Sequence, residues 1–273
     1  MVALAAHSRR GGDGMGTVSA GGWELRLFGS WGLARDAEPV DVGLRQQRLI
    51  AALALLGPRS RRHLASLLWP ESSEVHAAGN LRTCLFEVSH QLPALIRRNA
   101  GSVAMSEGVS VDVDALRRLV RGLASNGDAS TRADLVDALS GADLLPDWYE
   151  DWVVFEQERW TQERLSALDV FAEHSIARGD PDPAIRAAMA AIAIEPLRES
   201  AHLRLVEGHL LAGNHVAAAI AYRRLRDDLE RELGVEPSSR FAELLAHRSD
   251  VPAYARGTEP TPTPLEVAHR GWK

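Results

Sequence analysis

Residues 74–91 read EVHAAGNLRTCLFEVSHQ, and the placement of apolar side chains in that stretch decides what the first half of the chain can be. Ala77, Leu81, Cys84, Leu85, Val88 and then Leu92 recur at the i, i+4, i+7, i+8 spacing of a helix with one buried face. At about 100° per residue the opposite face presents His76, Gly79, Thr83, Phe86 and His90, flanked by Asn80, Arg82 and Glu87. Arginine suits guanine, asparagine suits adenine, and a threonine methyl can touch thymine. The bland alternative is an amphipathic core helix with a solvated outer face, and both readings stand at this point.

Upstream, WELRLF (23–28) alternates as a strand, with Trp23, Leu25 and Leu27 on one face. Gly29 and Gly32 break it, and EPVDV suggests a second short strand around Val40 and Val42. A first helix is expected over Leu44 to Leu56, ended by Gly57-Pro58, and a second over 61–68 capped by Ser60. Downstream, LIRRNAGSVAMS (95–106) and VSVDV (109–113) alternate again, with a turn at Asn99 to Gly101, so a hairpin follows the three helices.

Sheet, three helices and hairpin is the order of a winged helix-turn-helix of the response-regulator effector type, here an α+β unit over 23–112. In that arrangement the third helix enters the major groove and the hairpin wing lies near the backbone or minor groove. Asn80, Arg82, Thr83, Phe86 and His90 are then the candidate base contacts. Arg45, Arg48, Arg59, Arg61 and Arg62, with Arg97 and Arg98 on the wing, are the candidate backbone contacts, which position without specifying. Cys84, on the apolar stripe, reads as a small buried hydrophobe. His63, His76 and His90 are not spaced as metal ligands.

The second half, 113–249, reads as all-helical. Asp112 or Asp114 can cap a helix ALRRLVRGL, TRADLVDAL supplies another, and a long helix is expected from about Asp151 to Arg178 with Trp148, Tyr149 and Trp152 folded onto its start. Gly179-Asp180 then recurs as Gly213-Asn214, an offset of 34 residues, the repeat length of tetratricopeptide helix pairs. At that offset Ala184 matches Ala218, Ile185 matches Ala219, Ala188 matches Tyr222 and Phe171 matches Leu205. A short solenoid usually offers a concave protein-binding face. The last helix ends near Gly234, and VEPSSRFAELLAHR adds one more, with Ser238 or Ser239 as cap. Residues 1–22 and 250–273 are expected to be a disordered arm and tail, so the chain is mainly α.

Charge divides with the domains: residues 1–112 hold 12 arginines against 10 acids, and 113–273 hold 19 basic residues against 27 acids. One cysteine cannot form an internal disulfide, and no apolar run approaches the roughly 20 residues of a membrane helix, so a cytoplasmic protein is expected. No Ser-His-Asp, metal or phosphate-cradling constellation stands out, and no GxxxxGK[ST] occurs. The chain therefore reads as no enzyme, with no cofactor. Asp147, Glu150 and Asp151 sit at a helix start, where caps and dipole partners belong.

Three stretches together resemble one family. LLWPESSEVHAAGNLRTCLFEVSHQLP (67–93) resembles the loop and recognition helix of the Streptomyces antibiotic regulatory protein family. LLPDWYEDWVVFEQERW (144–160) and EPLRESAHLRLVEGHLLAGNHVAAAIAYRRLRDDLERELGVEPS (195–238) resemble its bacterial transcriptional activator domain, and the similarity extends over roughly 23–248. The resemblance implies a transcription regulator, often an activator of secondary-metabolite genes, whose homodimers bind tandem repeats in double-stranded DNA and recruit RNA polymerase holoenzyme. Similar recognition helices carry further basic residues near the positions held here by Ala78, Glu87, Val88, Ser89 and His90. A protein-interaction scaffold or antagonist of the same fold, with DNA reading weakened or lost, is the alternative.

Overall fold

The computed structural model describes residues 22–99, 101–126 and 129–246; the expected arm and tail, Gly22 apart, lie outside them. The chain divides into two compact units, one holding residues 32–111 with the strand before Leu27, the other holding Leu27–Trp31 and the chain from Asp112 onward.

In the first unit β1 (Trp23–Arg26), β2 (Gly32–Arg35) and β3 (Glu38–Pro39) form an antiparallel meander, with β7 (Ser110–Val111) parallel to β1, in the order β3-β2-β1-β7. The second strand expected around Val40 and Val42 lies instead at 32–35, turning into 38–39. Its cause is a two-residue turn, Asp36-Ala37, with φ of 54° and 66°. Two left-handed residues in a row match the right-handed twist of a hairpin, but Asp-Ala is a weak signal beside Asn-Gly.

The helices α1 (Leu44–Leu56), α2 (Arg61–Leu68) and α3 (Glu74–Gln91) follow, interrupted by β4 (Arg59–Ser60). Ser60 caps α2 by accepting from the His63 N–H at 3.2 Å. The wing is the antiparallel pair β5 (Ile96–Arg98) and β6 (Ser102–Met105), with β4 on the other side of β6. VSVDV does not extend this hairpin: Ser110 and Val111 pair with Glu24 and Leu25 of the other sheet. The core is the shared inner face of the helices and sheets, with Leu49, Ile50, Leu53, Leu64, Leu68, Val88 and Val103 all buried. Each such side chain contributes about 1.5–3 kcal/mol.

The second unit begins with a clamp. The Asp112 carboxylate accepts from the Leu27 and Phe28 N–H groups at 2.8 and 2.9 Å, and the Phe28 ring packs against Trp160, tilted by 31° with centroids 5.1 Å apart. The expected strand 23–28 is thus split: Trp23–Arg26 pairs in the first unit, and Leu27 and Phe28 bind the second. Among the described residues seven helices follow: α4 (Asp112–Asn126), α5 (Ala129–Ser140), α6 (Asp151–Ala177), α7 (Pro181–Ile194), α8 (Glu199–Leu211), α9 (His215–Leu233) and α10 (Ser239–Ala246).

At the start of α6 Trp152 is buried and Trp148 half-buried, but Tyr149 is 81% exposed, contrary to expectation. The loop is secured by its backbone instead, since the Gln157 amide donates to the Leu145 and Trp148 carbonyls at 2.8 and 3.2 Å. Gly179 and Gly213, 34 residues apart, both end a helix with φ near +75° (78° and 72°), a conformation glycine adopts without steric cost. Ala184, Ala188 and Ala218 behind these turns are buried, so α6/α7 and α8/α9 pair closely. At Gly208 the approach is closest: a Cβ there would lie 2.9 Å from Ile185 Cγ1.

Candidate nucleic-acid interface

The residues of α3 divide into three strips. The inner one, Ala77, Leu81, Cys84, Leu85 and Val88, is buried. Ser73 caps the helix, accepting from the His76 N–H at 3.4 Å, and the Trp23 indole N–H donates to Pro93 O at 3.0 Å just beyond its end. A rod secured at both ends presents its outer strip in a defined direction.

That outer strip carries Val75, Arg82, Thr83, Phe86 and His90, all exposed, with Val75 at 81% and Phe86 at 66%. The Phe86 and His90 rings lie parallel, 4° apart in plane and 6.0 Å between centroids. Val75 is the member that sequence reasoning missed; its signal was an apolar residue one turn before Gly79 on the polar face.

Asn80 and Glu87 form a third strip, half-buried on the side of α3 toward α1. Gln46 organises it. Its carbonyl oxygen accepts from the Gly43 N–H at 2.6 Å, capping α1, while its amide donates to Glu87 at 3.4 Å and Gln91 at 3.1 Å. The Glu87 carboxylate is therefore tethered to the scaffold. The Cys84 thiol beneath donates to Arg45 O at 3.5 Å, and burial, with a smaller push from Glu87, raises its pKa to about 11. It is a packed side chain and a poor nucleophile at neutral pH.

Between α2, α3 and β5 runs a groove of about 940 Å3, and four of the expected arginines, Arg61, Arg62, Arg82 and Arg98, line it with a single carboxylate, Glu74. Arg62 and Glu74 are 3.2 Å apart, but both are largely exposed, so the pair holds Arg62 only weakly. Arg98 reaches from the wing to donate to Leu85 O and Ser89 Oγ of α3. It fixes the wing beside the helix. The remaining expected residues do not line the groove: Arg97 pairs with Glu107 at 2.9 Å, Arg59 donates to Pro58 O at 3.0 Å, Arg45 is exposed and Arg48 half-buried on α1.

Chemically the strip and groove offer guanidinium donors, the hydroxyls of Thr83, Ser60, Ser66 and Ser72, and an aromatic pair. Among the described residues no three His, Cys, Asp or Glu side chains gather as metal ligands, and no helix is long and apolar enough to cross a membrane.

Residues 111–247 match the model of the bacterial transcriptional activator domain. The chain is 24% identical over 246 residues to the transcriptional regulatory protein MoaR1 of Mycobacterium tuberculosis, covering 82% of this chain and 78% of that protein. MoaR1 of Mycobacterium bovis matches to the same extent. In architecture the chain is similar to Mycobacterium tuberculosis EmbR, solved in complex with a low affinity phosphopeptide: TM-score 0.61, 20% identity, covering 86% of this chain and 68% of that one. That likeness shows the fold, a winged helix followed by a helical domain. With a domain match spanning half its residues, the chain belongs to the bacterial transcriptional activator domain family, as a transcriptional regulator of the Streptomyces antibiotic regulatory protein type.

Proposed function

We propose that this chain binds double-stranded DNA in the cytoplasm as a homodimer on promoter-proximal repeats, and activates secondary-metabolite genes through contacts of its helical unit with RNA polymerase holoenzyme. The observation that carries the reading is the coincidence on one surface of an exposed α3 strip, Arg82, Thr83, Phe86 and His90, with a groove holding four arginines to one carboxylate. An excess of cations there favours an anion from outside the molecule. Phosphates supply that anion, and each neutralised phosphate contributes a salt slope of about −0.9.

Arg82 is the candidate reader of a guanine, and Phe86 a contact for thymine methyls. Arg61 and Arg62, at the start of α2, suit the phosphate backbone. Two copies of α3 would enter successive major grooves about 34–36 Å apart. Glu87 does not argue against this reading, because its carboxylate is tied back to Gln46.

The test is selection of randomised duplexes by the purified protein at two salt concentrations, followed by measurement on the best site. Arg82→Ala should cost about 1–3 kcal/mol there and relax preference at one base pair. Unchanged binding would remove α3 from the reading role. Absence of any enriched repeat at low salt, together with a copurifying protein partner, would make the chain a scaffold.

A further inference from the structure

Residues 146–158, PDWYEDWVVFEQE, carry five acids and no base. They form the end of the loop before α6 and the first two turns of that helix. Trp152 and Val153 go into the core, which leaves Val154 exposed and Phe155 70% exposed. Asp151 stands four residues before Phe155 and Glu158 three residues after it, so both carboxylates flank the ring on one face of α6. Both are exposed, and neither has an ion partner among the described residues. Arg159, the next residue along, is held by Glu156 at 3.6 Å and Glu163 at 3.4 Å. A ring left mostly in water between two unpaired carboxylates adds little to the unit's own core.

The first unit carries the complementary surface. Its groove between α2, α3 and β5 sets four arginines against Glu74 and has Trp69, Leu81 and Leu85 in its lining. The positive excess survives pairing. Arg62 meets Glu74, and Arg98 is given to the Leu85 carbonyl and the Ser89 hydroxyl, but Arg61 and Arg82 have no carboxylate partner among the described residues.

We propose that the face of α6 carrying Asp151, Phe155 and Glu158 docks in the arginine groove of a second copy of this chain. The two carboxylates are taken by the groove's guanidinium groups, and the Phe155 ring lies against a guanidinium and the apolar lining. Arginine matches such a face on two counts, since it pairs with carboxylates and stacks on aromatic rings. A helix face laid in a groove is a recurrent mode of recognition. Among occupants for an acidic helix face, a second copy is the one whose complementary groove the chain itself supplies. While docked, the groove is closed to phosphates, so self-association holds the chain off DNA. That consequence rests on the DNA reading, and the docking does not.

The test is sedimentation velocity on the full chain without DNA. Self-association is expected at about 0.1 M salt and should be at least tenfold weaker at about 1 M, where charges are screened beyond about 3 Å. Arg61→Glu with Arg62→Glu makes the groove acidic, and Asp151→Arg with Glu158→Arg makes the helix face basic. Each double variant alone sets like against like and should associate at least tenfold more weakly than the parent. Their one-to-one mixture restores opposite charges at both contacts and should associate as tightly as the parent. Phe155→Ser should weaken the parent severalfold. Circular dichroism melts establish that the variants fold, and Glu158→Arg alone serves if the change at Asp151, in the first turn of α6, unfolds the helix. A parent that stays monomeric at low salt would overturn the proposal and give the face to a basic segment of another protein. Reversed variants that associate like the parent, a mixture no tighter than its components, or an unchanged Phe155→Ser protein would each overturn it as well.

Discussion

The two units use arginine in opposite ways. In the first, Arg61, Arg62, Arg82 and Arg98 share a groove with one carboxylate. In the second, Arg204 of α8 alone faces three: Asp169 and Glu173 of α6 at 3.4 and 3.2 Å, and Glu207 on its own helix at 2.9 Å. Arg117 of α4 is likewise held by Glu163 of α6, a hydrogen bond that raises its pKa further. Under the proposed function the cations that outnumber their partners take an external anion, whereas those outnumbered by carboxylates staple neighbouring helices.

That contrast can be broken at several strengths. If packing and internal staples hold the second unit, removing Trp160 should do the most damage, since its ring is buried, packs against Phe28 and donates to Ala142 O. Trp160→Ala should cost about 3–5 kcal/mol in urea unfolding, with Trp160→Phe recovering most of it.

Arg204→Met comes next. It leaves Asp169, Glu173 and Glu207 clustered without their cation, and should cost about 2–3 kcal/mol at pH 7. Salt screens the repulsion among the three, so the deficit relative to the parent should shrink as ionic strength is raised toward about 1 M. A deficit independent of salt would mean that Arg204 acts through packing alone.

The first unit keeps charge at its rim because its interior excludes it, and Cys84 measures that. Its pKa is about 11 in the fold against an ordinary 9.0, so the neutral thiol's contribution is intact below pH 9 and is lost as pH rises from 9 to 11. The parent should lose about 2 kcal/mol relative to Cys84→Ala across that window. Parallel stability curves for the two proteins would contradict a buried neutral thiol.

The smallest effect belongs to Arg62. Its exposed pair with Glu74 predicts that Arg62→Ala changes stability by no more than about 0.5 kcal/mol. In DNA binding the same variant should lower the salt slope by about one and weaken all sequences alike. A large stability loss with no change in the salt slope would make Arg62 a staple like Arg204.

Much of this was legible in local spacing. The bounds of α3, the Ser60 cap and the 34-residue glycine recurrence all follow from a period of 3.6, or from one residue's conformational preference. The arginines of the groove could be named one by one, but their convergence could not. It requires α2, α3 and β5 to meet, and nothing in the intervals from 61 to 82 to 98 encodes that meeting. Glu87 is a sharper case: the helical wheel put it beside the reading face, and Gln46, 41 residues earlier, turned it toward the scaffold.

The sequence by itself determined the class of each half, winged helix and helical repeat, because amphipathic periodicity and turn chemistry act between residues a few positions apart. Only the tertiary structure decided that β7 runs parallel to β1, that Leu27 and Phe28 serve the second unit, and that Tyr149 faces solvent. Each depends on partners brought together by burial across tens of residues, and burial is blind to sequence separation.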